Sequence, residues 1–162
     1  MSSGINVSGM ENVIKDLKKF QKKHKNIIYL FGCDQENQEE KVKTLFNRFD
    51  NKKNQLFYYK SPWELSTILK NVDSVITDKL HVGIVATRYG KEVICTARDP
   101  KSLRFYNLIR RNECVSLLKN VKKGETLHKL ERLKFKKIFI DNKIFEKAKN
   151  NKKIVEDFLN KY

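Results

Sequence analysis

The sequence predicts an α/β chain, Rossmann-like, with a doubly wound, mostly parallel sheet and helices on both faces. Two observations predict it. Short β-rich apolar runs alternate with segments of helical period along most of the chain, and the turns joining them are very short. The densest stretch, residues 74–102 (SVITDKLHVGIVATRYGKEVICTARDPKS), reads as strand, helix, strand and helix start in immediate succession. Right-handed crossovers between parallel strands then leave few arrangements.

Taken in order, residues 1–4 (Met-Ser-Ser-Gly) are set aside as a cloning scar, and residues 5–8 form a short strand candidate. Residues 11–24 place Val13, Ile14, Leu17 and Phe20 on one helical stripe. Residues 26–31 (NIIYLF) predict a buried strand ending at Gly32, and residues 38–49 repeat the helical stripe through Val42, Leu45, Phe46 and Phe49. A third strand is expected over residues 55–59. Ser61-Pro62-Trp63-Glu64 is a helix start signal, with serine as cap, proline at the first helical position and glutamate three residues past the cap; that helix is expected to reach about Lys70.

The apolar run Ser74-Val-Ile-Thr77 predicts the fourth strand, residues 82–89 a helix closed by Gly90, and residues 92–96 the fifth strand. Asp99 caps a helix that starts at Pro100 and carries Leu103, Tyr106 and Ile109 inward to about Arg111, before a sixth strand over residues 114–118. Beyond Lys119 the pattern is helical, with leucines at 127, 130 and 133, weak alternation over residues 135–140 and amphipathic helix over 144–162. The expected organisation is a Rossmann-like domain over residues 5–118 with a helical extension, residues 119–162, packed on it.

The chain has 162 residues and is 40% hydrophobic, enough for one domain with a real core. Its net charge of +16 attracts any polyanion, but the lysines are spread over the helices (Lys15, Lys18, Lys19, Lys22 and Lys23; Lys147, Lys149, Lys152 and Lys153) as on solvated faces. No specific nucleic-acid partner is expected. Cys33, Cys95 and Cys114 lack metal-site spacing and read as small buried hydrophobes in a reducing compartment. No leader or transmembrane run is recognisable, so a cytoplasmic location is expected.

In α/β sheets, ligands bind beyond the carboxyl ends of the strands. That rule gathers Asp78-Lys79-Leu80-His81 and Ala97-Arg98-Asp99-Pro100-Lys101-Ser102 on one rim, with Gly32-Cys33-Asp34 and Ser61 at the ends of neighbouring strands. His81 is the candidate catalytic residue, because an imidazole carries protons near neutral pH; a polar cap or a packed core residue is the plain alternative. Lys79, Arg98, Lys101 and Ser102 are the candidate substrate-binding residues, placed where helix N-termini favour anions. The plain alternatives are that Lys79 neutralises Asp78 and that Asp99 makes an ordinary cap. The expected ligand is a small anion. No cofactor is expected: the glycine-rich dinucleotide turn and the phosphate-loop lysine motif are both missing. Asp34, Asp78 and Asp99 are too scattered for a metal site.

The run from Ser61 through Asp73-Ser-Val-Ile76 to Lys79-Leu-His81, followed by a helix, Gly90, an apolar strand and Asp99-Pro-Lys101, resembles the carboxyl-terminal half of the polysaccharide pyruvyl transferase family. The similarity extends more loosely over residues 5–118. It implies half of a two-domain GT-B-type fold, transferring pyruvate from phosphoenolpyruvate as a ketal onto a sugar of a cell-surface polysaccharide. It implies His81 as general acid or base, and residue 79 on the donor's phosphate or carboxylate. The family's arginine before Leu-His is Lys79 here, which keeps the charge and loses the bidentate fork. A second family arginine is replaced by Ser8-Gly9. One domain leaves the acceptor half to be supplied elsewhere, by a missing amino-terminal half or a homo-oligomer. Two other functions fit the same residues: a non-catalytic module docking on an acidic partner or nucleic acid, and the nucleotide-sugar half of another GT-B glycosyltransferase.

Overall fold

Helix α1, Val7–Lys23, is the first element of the computed structural model, which describes residues 7–34 and 39–133. Val13, Ile14, Leu17 and Phe20 are all buried, as their stripe predicts. The strand expected over residues 5–8 is corrected where it can be seen, because Val7 and Ser8 belong to the first turn of α1. Packing overrides the β-branched run. Gly9 sits so close to the segment after the last strand that a Cβ there would lie 1.8 Å from the carbonyl oxygen of Leu118. Gly9→Ala must push backbone against backbone, and is expected to cost about 1–3 kcal/mol. An unchanged denaturant midpoint would contradict this contact.

The chain continues through β1 (Leu30–Asp34), α2 (Glu39–Phe46), β2 (Gln55–Tyr59), α3 (Pro62–Asn71), β3 (Ser74–Thr77), α4 (Leu80–Arg88), β4 (Glu92–Ala97), α5 (Pro100–Leu108), β5 (Val115–Leu117) and α6 (Glu125–Leu133). Single 3-10 turns at Asn112–Cys114 and Leu118–Asn120 flank β5. They shorten the strand expected over residues 114–118. Every strand pairing is parallel. β1 pairs with β2, and β4 lies between β3 and β5, so the described strands fall into two hydrogen-bonded sets.

Both faces of β4 are covered: Val93, Ile94, Cys95, Thr96 and Ala97 are all buried. One face belongs to α4 and α5, which meet where Gly83 leaves room for the Tyr106 hydroxyl; a Cβ on Gly83 would stand 2.5 Å from that oxygen. Helix α6 also packs on β4, and its main partner is α1. This is a Rossmann-like α/β arrangement with helices on both faces of parallel strands.

Local signals act as their chemistry dictates. Ser61 Oγ accepts from the Glu64 amide at 3.3 Å, while the Glu64 carboxylate accepts from the Lys60 amide at 2.7 Å. Asp99 Oδ1 accepts from the Lys101 amide at 2.8 Å and so opens α5. Gly90, at φ +69°, ends α4 in the left-handed conformation that glycine tolerates best. The start of β1 is pinned by a buried polar cluster: Gln21 donates to Asn54 Oδ1 at 2.7 Å and to the Ile27 carbonyl at 3.0 Å, and Asn54 Oδ1 also accepts from the Tyr29 amide at 3.0 Å.

The amino end of α6 is held from another helix. Asp16 of α1 is fully buried, and its carboxylate accepts from the amides of Gly124 (3.0 Å), Thr126 (3.1 Å) and Leu127 (3.3 Å). It thereby satisfies helix-start donors that burial would otherwise leave unpaired. Cys33, Cys95 and Cys114 are buried and form no disulfide, and burial pushes the Cys95 and Cys114 thiols above their ordinary range. Among the described residues no helix is long and apolar enough to cross a membrane. The helices expected over residues 144–162 and the alternation over 135–140 lie outside the described residues.

Candidate functional site

The rim is set by the register of β3 and β4. Thr77 stands opposite Cys95, so the two strands end at nearly the same level and their following turns lie side by side. Arg98 Nε donates to Asp78 Oδ2 at 2.5 Å and ties those turns together. This pairing differs from the one read in sequence, where Lys79 was the neighbour able to neutralise Asp78. Thr77 Oγ1 accepts the Lys79 amide at 3.0 Å, tightening the turn. Lys79 then sits at the cap position of α4 with no side-chain capping bond. Among the described residues Lys79 has no ion-pair partner.

Helix α4 begins at Leu80, and its first turn holds no acidic residue. The first amides of a helix have no intrahelical acceptor, so this end carries a partial positive charge. His81 lies in that turn and is exposed. Lys101, in the first turn of α5, is exposed as well. Three cations, Lys79, Arg98 and Lys101, therefore stand against two carboxylates, Asp78 and Asp99. Asp78 is committed to Arg98, and Asp99 to the Lys101 amide. The uncommitted positive charge belongs to Lys79, Lys101 and the start of α4.

Ser102 takes a different position from the one expected on the rim. It is 2% exposed, and its hydroxyl interacts with the Cys95 thiol inside the domain. Ser61 is used as the cap of α3, and Cys33 is buried. Among the described residues no group of three or more His, Cys, Asp or Glu side chains could hold a metal ion. A small recess lined by Thr87, Val93, Tyr106, Ile109, Arg111 and Cys114 lies under α5, away from the rim, with no room for a water molecule. The rim itself is open to solvent.

Sequence reasoning missed Thr77 as the residue that shapes the turn carrying Lys79. A threonine at a strand end followed by Asp-Lys was the available signal, since its hydroxyl readily accepts an amide two residues on. The Arg98–Asp78 pair is half exposed on the arginine side. Arg98→Ala is therefore expected to change thermal stability by less than about 1 kcal/mol. A larger loss would mean that the pair holds the rim together.

No curated protein and no solved structure matches the chain. A family model does: polysaccharide pyruvyl transferase, over residues 5–100. The matched span runs from two residues before α1 to the first residue of α5, and includes both turns joined by Arg98 and Asp78, with Lys79 and His81 between them. With more than half its length inside that match, this chain belongs to the polysaccharide pyruvyl transferase family.

Proposed function

We propose that the rim formed by Lys79, His81, Arg98 and Lys101 binds phosphoenolpyruvate, and that the chain is the donor-binding unit for pyruvyl transfer to a sugar of a cell-surface polysaccharide. One observation carries this reading: Lys79 and His81 stand together at the start of α4 on an exposed rim with more cations than carboxylates, at the place where the family resemblance expects Arg-Leu-His and this chain has Lys-Leu-His. A compact dianion beside a carboxylate needs both a point charge and helix-end amides, and this rim offers both. A reducing, cytoplasmic setting is part of the same reading, supported by three buried thiols without a disulfide.

The chemistry follows from the donor. The methylene carbon of phosphoenolpyruvate takes a proton, which makes C2 electrophilic. One sugar hydroxyl adds to C2 as it loses its proton; phosphate leaves with the electrons of its C2–O bond; a second hydroxyl then closes the ketal and loses its proton. His81 is the residue for the proton transfers, and Lys79 for the charge on the leaving phosphate. The acceptor sugar is bound by another domain or polypeptide.

The test is thermal stabilisation by phosphoenolpyruvate against sulfate, nucleotide sugars and short nucleic acids, repeated with Lys79→Ala. Ligand at about a hundred times its Kd contributes about 2.7 kcal/mol. That stabilisation is expected for phosphoenolpyruvate and lost in Lys79→Ala. Stabilisation by nucleotide sugars alone would shift the reading to a glycosyltransferase donor site. Equal response to every polyanion would reduce it to a charged binding module.

A further inference from the structure

Arg48, Arg111 and Arg98 each pair with a carboxylate, in different ways. Arg48 gives both Nη nitrogens to Glu11, at 2.7 Å each. Arg111 gives Nε to Glu113 at 2.6 Å and Nη2 to the Cys114 sulfur at 3.0 Å. Arg98 gives Asp78 its Nε alone, at 2.5 Å, and among the described residues neither of its Nη nitrogens makes a hydrogen bond. The outer fork of this guanidinium, the part whose geometry matches a planar oxyanion, is therefore held in place and unused.

The two partners are also unequally placed. The Asp78 side chain is 19% exposed and that of Arg98 is 51% exposed. A carboxylate so far withdrawn from water holds on to its counter-charge, which fixes the guanidinium at its Nε end while the rest of the side chain reaches solvent. The charge of Arg98 is cancelled in this way, but its Nη donors are not. Asp78 directly precedes Lys79, so the fork is tied to the residue beside the rim's unpaired ammonium. An ammonium rotates freely and imposes no plane on its ligand, whereas a guanidinium does.

We propose that Arg98 is the specificity-determining residue of the rim, taking the carboxylate of a phosphorylated carboxylic acid on Nη1 and Nη2, and that Asp78 is the positioning residue that orients it. The inference rests on the donor reading above and divides the labour within it. In phosphoenolpyruvate the carboxylate and the phosphate ester oxygen are both bonded to C2, so two unlike anionic groups need unlike partners side by side. The phosphate, with oxygens in three directions, suits Lys79 and the amides at the start of α4. The carboxylate, planar and two-toothed, suits the fork of Arg98. Because Asp78 cancels its charge, Arg98 adds little to the general attraction of the rim for anions. Its contribution is confined to ligands that carry a carboxylate next to the phosphate.

The test compares phosphoenolpyruvate with vinyl phosphate, the same enol phosphate without the carboxylate. Dissociation constants are measured by titration calorimetry for the full chain and for Arg98→Ala, Arg98→Lys and Asp78→Asn, with the thermal midpoint of each. The native chain is expected to prefer phosphoenolpyruvate by about tenfold or more, as a charge-assisted bidentate contact provides. Arg98→Ala and Arg98→Lys are expected to abolish that preference and leave vinyl phosphate bound as before. Asp78→Asn leaves Arg98 charged and loosely held, so it should tighten vinyl phosphate while narrowing the preference. A pair that only braced the two turns would move the midpoint and both ligands together. A preference that survives either Arg98 substitution, or equal weakening of both ligands, would overturn the proposal and leave the donor reading standing. Equal binding of both ligands by the native chain would do the same. Failure of the native chain to bind phosphoenolpyruvate would remove the donor reading and this inference together.

Discussion

Asp16→Ala is expected to lower the stability of the domain by about 3 kcal/mol or more. The carboxylate is fully buried and accepts three backbone amides at the start of α6. Hydrogen bonds to a charged group contribute about 1.5–3 kcal/mol each, and removing a shared acceptor leaves buried donors unsatisfied. Asp16→Asn keeps the shape and one acceptor oxygen, so an intermediate loss is expected. Denaturant unfolding of the three proteins measures this. Equal stabilities for wild type and Asp16→Ala would show that α6 is held by its apolar face alone. The loss should also appear locally, as faster amide exchange over Glu125–Leu133, because the helix would lose its anchor to α1.

The second large effect concerns chemistry rather than folding. With the acceptor-binding part present, His81→Ala is expected to reduce pyruvyl transfer by about 10²–10⁴-fold, the usual contribution of a positioned general acid or base. Stabilisation by phosphoenolpyruvate should survive the change, because His81 is exposed and makes no described contact that supports the fold. Lys79→Ala should behave oppositely and lose binding first. The contrast separates a proton carrier from a charge that merely attracts anions. If both variants lose binding equally, His81 is part of the anion site. If His81→Ala retains full turnover, another residue moves the protons.

Much of this was legible in sequence because the signals were local. Gln55–Tyr59 and Ser74–Thr77 are strands over the expected residues, each a β-rich run bounded by polar turn residues. The caps at Ser61 and Asp99 follow from residue type and the proline after each. What failed depended on contacts distant in sequence. The strand expected over residues 26–31 is instead Leu30–Asp34, because Tyr29 and the Ile27 carbonyl are drawn to Asn54 and Gln21, and pairing begins only where Leu30 meets Gln55. Gly32, read as the end of that strand, lies inside it and leaves room for Phe57 on the neighbouring strand; a Cβ would come within 2.5 Å of that ring.

The site divides in the same way. Lys79 and His81 were readable from their place at a strand–helix turn, and Lys101 from the helix start signal at Pro100. The turn of Ser102 into the core was not, because in a short helix beginning Pro-Lys-Ser only the packing of α5 on β4 decides which side faces Cys95. The commitment of Arg98 to Asp78 was equally hidden, since the two residues are 20 apart in sequence and meet through the register of β3 and β4. Asp16 looks like a solvated acid among lysines, and nothing local to it announces the amides of Gly124, Thr126 and Leu127.

The central claim is that Lys79 and the start of α4 hold the phosphate of phosphoenolpyruvate. Its most direct measurement is the phosphorus resonance of phosphoenolpyruvate titrated with the chain and with Lys79→Ala, each in competition with inorganic phosphate. A saturable shift or broadening with the native chain, displaced only by a large excess of inorganic phosphate and absent in Lys79→Ala, is the predicted result. An unperturbed resonance, or one that responds equally to both proteins and is displaced equally by inorganic phosphate, would contradict it.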